Sequence, residues 1–61
     1  MTEVQTRLLQ VLEETGGVTG PVLAGRLNLT IRELEREIAA LRHMEKVRGE
    51  RRGSQVVVCL W

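Results

Sequence analysis

The apolar residues of this chain change their spacing once, close to Lys46. Before that point they recur at steps of three and four: Val4, Leu8, Leu9, Val11 and Leu12, then Val22, Leu23, Ala24 and Leu27, then Ile31, Leu34, Ile38 and Leu41. That is the period of helices with one buried side. After it, "KVRGERRGSQVVVCLW" alternates its side chains, as strands do. Three helical stretches and a closing hairpin leave room for one small domain over residues 1–61, of class α+β: three helices with a small antiparallel β-hairpin.

Local signals divide the chain further. The first helix is expected from about Thr2 to Thr15, opened by a Thr2/Gln5 capping box and stopped by Gly16-Gly17. Val18 is read as a very short strand. Thr19 is expected to cap a second helix of about two turns, with Gly20 and Pro21 in its first turn, where proline costs no hydrogen bond. Asn28 suits the left-handed turn that ends it. Thr30 and Glu33 form the clearer T-x-x-E capping box, and the third helix should run to Met44 or Glu45. The spacing then predicts a strand over Lys46–Glu50, a turn over Arg51–Ser54 and a strand over Gln55–Leu60. Val56, Val58 and Leu60 are expected to face the helices. Val57, Cys59 and Trp61 face the other way and are the expected dimer or partner surface. Helix 1, through Val11, is an alternative one.

Composition narrows the function. The chain has one cysteine and one histidine, with no aspartate, tyrosine or phenylalanine. One cysteine cannot build a disulfide framework within a chain, and little remains for a zinc site or a catalytic constellation. Neither an enzyme, a metal site nor a cofactor is expected. No apolar run approaches the roughly 20 residues of a bilayer span. No signal peptide is evident at the start. A cytoplasmic protein is therefore expected, and the sequon Asn28-Leu29-Thr30 is read as a coincidence. A chain this short buries only about 60% of its unfolded surface, so a second copy would add stability.

The net charge is +1 but unevenly spread. Residues 1–25 hold Arg7 against Glu3, Glu13 and Glu14, whereas four of the later bases (Lys46, Arg48, Arg51 and Arg52) crowd around the single acid Glu50. At about 100° per residue, Ile38 and Leu41 fall within about 40° of Leu34, and Ile31 within about 60°. The opposite side of the third helix then carries Arg32, Arg36 and His43, with Ala39 between them and Glu33, Glu35 and Glu37 on the flanks. Arginine there can donate two hydrogen bonds to guanine. The competing reading is an ordinary solvated helix, in which Arg32–Glu35 and Glu33–Arg36 are stabilising pairs.

The order of elements, with "VLAGRLNLTIRELEREIAALRHMEKV" and the Arg-rich "RGERRGSQVVV", resembles a winged helix-turn-helix domain from Val18 to Trp61. "LTIREL" is similar to the helix start of several bacterial repressor families, DeoR-like sugar repressors among them, and of archaeal regulators. One departure is Glu45-Lys46, where many members carry Gly and an apolar residue. The resemblance implies a transcriptional regulator that binds double-stranded DNA, as a possible homodimer. Its third helix would enter the major groove and its ribbon would touch the minor groove or the phosphates. Thr30, Arg32, Glu33, Arg36, Arg48, Arg51 and Arg52 would be the contact residues. The same fold also serves protein-binding adaptors, in which the apolar strip around Trp61 and the charged helix face would be the contacts and the arginines only solubilise. RNA would suit the same basic surface.

Overall fold

A computed structural model describes all residues, Met1–Trp61. In chain order it contains α1 (Glu3–Thr15), β1 (Val18–Thr19), α2 (Gly20–Leu27), α3 (Ile31–His43), β2 (Val47–Arg52) and β3 (Gln55–Leu60). All three strands are antiparallel in one sheet ordered β1-β3-β2, so β3 is central. Val18 pairs with Val58, and β2 pairs with β3 from Val47–Leu60 to Arg52–Gln55.

The helix ends are set by local hydrogen bonds. Thr2 and Gln5 close the expected box at the start of α1, and Gly16 ends that helix at φ 78°. Thr19 occupies the cap of α2, but its side chain makes no capping bond. Its backbone is held instead in the pairing with Val57. Asn28 adopts φ 56°. The Leu29 N–H bonds to the Ala24 carbonyl at 2.9 Å and the Asn28 N–H to Gly25 at 3.3 Å, which is the Schellman pattern. The same pattern ends α3: Lys46 N–H to Leu41 O at 2.9 Å and Glu45 N–H to Arg42 O at 3.0 Å, with Glu45 at φ 57°. The departure Glu45-Lys46 thus leaves the turn intact. A side-chain-bearing residue takes the left-handed position that glycine usually fills.

Leu8 and Leu12 of α1, Leu23, Ala24 and Leu27 of α2, Leu34 and Leu41 of α3, Val47 and Val58 form one core. Each fully buried Leu or Val contributes about 1.5–3 kcal/mol relative to exposure. Ile31, expected on the core side, is exposed; Leu29 of the preceding turn packs on the core instead.

The sheet departs further from expectation. Val58 does face the helices, but Val56 and Leu60, on the same side, are exposed near the two ends of β3. Val57 and Cys59, expected as open partner surface, are buried, and only Trp61 of the three is exposed. The reason is the segment that leads into β1. Gly17 lies so close that a Cβ there would sit 2.9 Å from Val57 Cγ1 and 3.1 Å from Cys59 Cβ. On the β2 side, the Cys59 thiol lies 3.7 Å from the Arg48 carbonyl and 3.9 Å from a Glu50 carboxylate oxygen. A central strand is covered from both sides by its neighbours.

Glu45 yields a direct test of the α3 exit. A residue with a Cβ costs about 1–2 kcal/mol in the left-handed conformation, against about 0.5–1 kcal/mol for the extra freedom of an unfolded glycine. Glu45→Gly is expected to stabilise the fold by up to about 1 kcal/mol. Thermal unfolding followed by circular dichroism should show the midpoint rise by a few degrees, and a fall would contradict the turn described.

Candidate nucleic-acid interface

The candidate surface consists of the outward side of α3 and the ribbon formed by β2 and β3. The first turn of α3 is built around Thr30. Its N–H donates to Glu33 Oε1 at 2.9 Å, and its hydroxyl oxygen accepts from the Glu33 N–H at 3.1 Å. The Thr30 N–H is the main reason the Glu33 carboxyl lies below its ordinary value of 4.5, helped by the Thr30 hydroxyl and the charge of Arg36. Two sequence-predicted contact residues, Thr30 and Glu33, are therefore engaged with each other. The Ile31 and Arg32 N–H groups have no partner within the helix, as expected for a first turn.

Arg32 and Arg36 are both exposed, as are Ala39 and His43. The molecule has two salt bridges and neither involves α3. The Arg32–Glu35 and Glu33–Arg36 pairs of the competing reading are thus not formed. The two arginines differ in surroundings. Arg36 lines a shallow cavity of about 260 Å³ together with Thr2, Val4, Leu29, Glu33 and Glu37. Arg32 lies outside it. Arg36 therefore leans toward the acidic flank of α3, which the helical angles already bring near.

The ribbon places its arginines differently from expectation. Arg51 and Arg52 belong to β2, not to a turn, and the turn itself is only Gly53-Ser54, with Gly53 at φ 64°. Gly at the first central position of a two-residue hairpin loop is a common arrangement. Alternation then puts Arg48, Glu50 and Arg52 on one face, opposite Cys59, Val57 and Gln55, and Arg51 on the other, opposite Val56. Glu50 bridges its two neighbours: Arg48 Nη2 to Oε2 at 3.0 Å and Arg52 Nε to Oε1 at 3.2 Å. The hydrogen bond from Arg52 and the charges of both arginines hold its carboxyl below the usual range. Glu50 thus ties Arg48 to Arg52, a pairing that the sum of charges along the ribbon does not reveal. The signal was present, since R-x-E-x-R in a strand places all three side chains on one face. Arg51 has no acidic partner. Trp61 is exposed, with its N–H bonded to the Lys46 carbonyl at 3.0 Å.

No three His, Cys, Asp or Glu side chains are grouped as metal ligands, and no helix is long and apolar enough to cross a membrane. No family model and no curated protein matches the sequence. Solved structures do. RV1404 from Mycobacterium tuberculosis superposes on the whole chain with a TM-score of 0.93 at 20% identity, over 44% of its own length. A mutant of Lactococcus lactis ZitR gives 0.92 at 20% identity over 43% of that chain. Wild-type ZitR in complex with DNA gives 0.91 at 19% identity, also over 43% of that chain. The present chain thus spans less than half the length of these proteins, and its fold is the winged helix.

The Glu33 cap carries a pH signature. Its folded-state pKa is depressed, so its stabilisation is present above 4.5 and is lost as pH falls through the lower folded value. Wild type is expected to melt above Glu33→Gln at neutral pH, with the gap closing below pH 4.5. Melting curves across that range check this; a gap independent of pH would mean that the carboxylate charge contributes nothing.

Proposed function

We propose that this chain binds double-stranded DNA as the reading part of a transcriptional regulator. The outward side of α3 enters the major groove, and the arginines of the ribbon meet the minor groove or the flanking phosphates. The observation that carries this reading is that Arg32 and Arg36 stand exposed on α3 with no salt-bridge partner. The same fold is present in a ZitR structure that contains DNA.

In this reading Arg32, outside the cavity that Arg36 lines with Glu33 and Glu37, is the principal base reader, through two hydrogen bonds to guanine O6 and N7. Arg36 shares the role or holds a phosphate. Thr30 and the two free N–H groups of the first turn approach a phosphate. Glu33 has one carboxylate oxygen left to accept from a cytosine amino group, the other being occupied by its cap. Arg48, Arg51 and Arg52 supply the ribbon's charge. Arginine suits a narrow minor groove, where the negative potential is concentrated. The small net charge implies modest non-specific affinity. Two copies on half-sites one helical turn apart would combine two such readers.

The alternative is a protein-binding adaptor. Its supporting observation is the exposure of Trp61, together with Leu60 and Met44, near the α3–β2 turn.

Selection from a pool of random duplexes followed by gel shift at low salt decides between them. Arg32→Ala is expected to weaken the selected site by about 1–3 kcal/mol and to relax the preference at one base pair. The Arg32→Ala, Arg36→Ala double variant should lose the shift altogether. An unchanged shift in a folded double variant rejects the placement of α3, and no shift in wild type rejects DNA as the ligand. The two-copy arrangement is checked separately by light scattering at high concentration, where a mass of one chain counts against it.

A further inference from the structure

Glu50 is the sole acid among the bases of the ribbon, and both of its carboxylate oxygens are taken, Oε2 by Arg48 and Oε1 by Arg52. The trio lies on one face of β2. Beneath it Val57 and Cys59 are closed off from solvent, and the Cys59 thiol touches both the Arg48 carbonyl and the Glu50 carboxylate. A phosphodiester presents the same chemistry to arginine as a carboxylate does: two oxygens sharing one negative charge. The ribbon of the free molecule therefore already holds an anion where its two arginines would grip a phosphate.

We propose that Glu50 is an internal stand-in for a DNA phosphate. It occupies Arg48 and Arg52 in the free protein and competes with the DNA backbone for them. Arg51 is then the ribbon arginine free at first contact. This rests on the DNA-binding reading above and adds to it a residue that limits the ribbon's grip.

Three observations agree. The pairs are half-exposed, with the arginine side chains 48% and 50% accessible, so water and salt screen them and a polyanion can compete. The Glu50 carboxyl is held below the usual range, so it stays charged at neutral pH and does not release the arginines there. Arg51 projects from the opposite face, away from Glu50 and without a partner of its own.

The test is the salt dependence of binding to a pool of random duplexes, measured by fluorescence anisotropy at several sodium chloride concentrations. Each additional phosphate neutralised steepens the plot of log K against log salt by about 0.9. Glu50→Gln removes the internal anion and keeps the size of the side chain. It is expected to bind more tightly and to steepen the slope by about 1–2. Arg48→Ala and Arg52→Ala should each lower the wild-type slope by much less than about 0.9, because Glu50 competes for both. In the Glu50→Gln background each should lower it by about 0.9. Arg51→Ala should lower it by about that amount in both backgrounds. Glu35→Gln, which removes an acid from α3, controls for the loss of a charge alone, and circular dichroism verifies that each variant is folded. If Glu50→Gln behaves as Glu35→Gln does, or if the arginine variants act equally in both backgrounds, the stand-in role is wrong although DNA binding stands. If wild type binds no duplex at any salt, the DNA reading falls and this inference falls with it.

Discussion

The rotation of α3 about its own axis is fixed by two leucines, and the candidate surface exists because of that rotation. Leu34 and Leu41 are essentially inaccessible and lie within about 20° of each other around the helix. Turning α3 by one residue would move both about 100° out of the core and replace them with charged or small side chains. The loss would be about 1.5–3 kcal/mol for each leucine, a large share of what a domain of this size has to spare. The caps act with the leucines. The Thr30–Glu33 box and the Schellman turn at Glu45 fix where α3 starts and stops, and hence which residues lie in its first turn. Arg32 points outward because two residues on its far side cannot.

The same leucines explain why the helical half of the molecule was legible in the sequence. A helix needs one apolar stripe and two ends, and both signals are local. Thr2 with Gln5, Gly16, Asn28 and Thr30 with Glu33 each specify a boundary through atoms within four or five residues. The sheet was less legible because its faces are decided by partners far away in sequence. Alternation in β3 correctly separates Val58 from Val57 and Cys59. Alternation is silent about Gly17, about forty residues earlier, whose backbone closes over Val57 and Cys59. A ribbon of two strands would leave that face open, whereas a three-stranded sheet with β3 in the middle does not. The hairpin turn failed for a related reason. Charged residues read as turn residues, yet Arg51 and Arg52 are strand residues that extend past the core, where charge costs nothing to solvate.

Site residues followed the same division. The exposure of Arg32 and Arg36 follows from the helical period alone. Their unequal surroundings do not, because the cavity beside Arg36 is closed by Thr2 and Val4 from α1 and its cap. Glu50 was not legible from the ribbon's charge sum, because a sum carries no positions. One acid among four bases looks negligible as a sum, but a period of two sets it between Arg48 and Arg52 and lets it neutralise both.

Each basic element therefore carries its own acid at close range. Glu33 sits in the first turn of α3, and Glu50 sits in the ribbon. Glu33 is exposed and Glu50 half-buried; both have depressed pKa values, and both remain ionised at neutral pH. A bare basic surface attracts any polyanion through counterion release, without regard to sequence. Placing carboxylates inside that surface lowers this indiscriminate part of the binding and repels phosphates that arrive out of register. Directional bonds are affected less, since a guanidinium that meets a guanine edge depends on alignment as well as on charge. On the DNA reading, a net charge of only +1 is then consistent with the arginines of α3 and the ribbon. On the same reading the acids would reduce the pull toward nucleic acid in general and leave discrimination to Arg32.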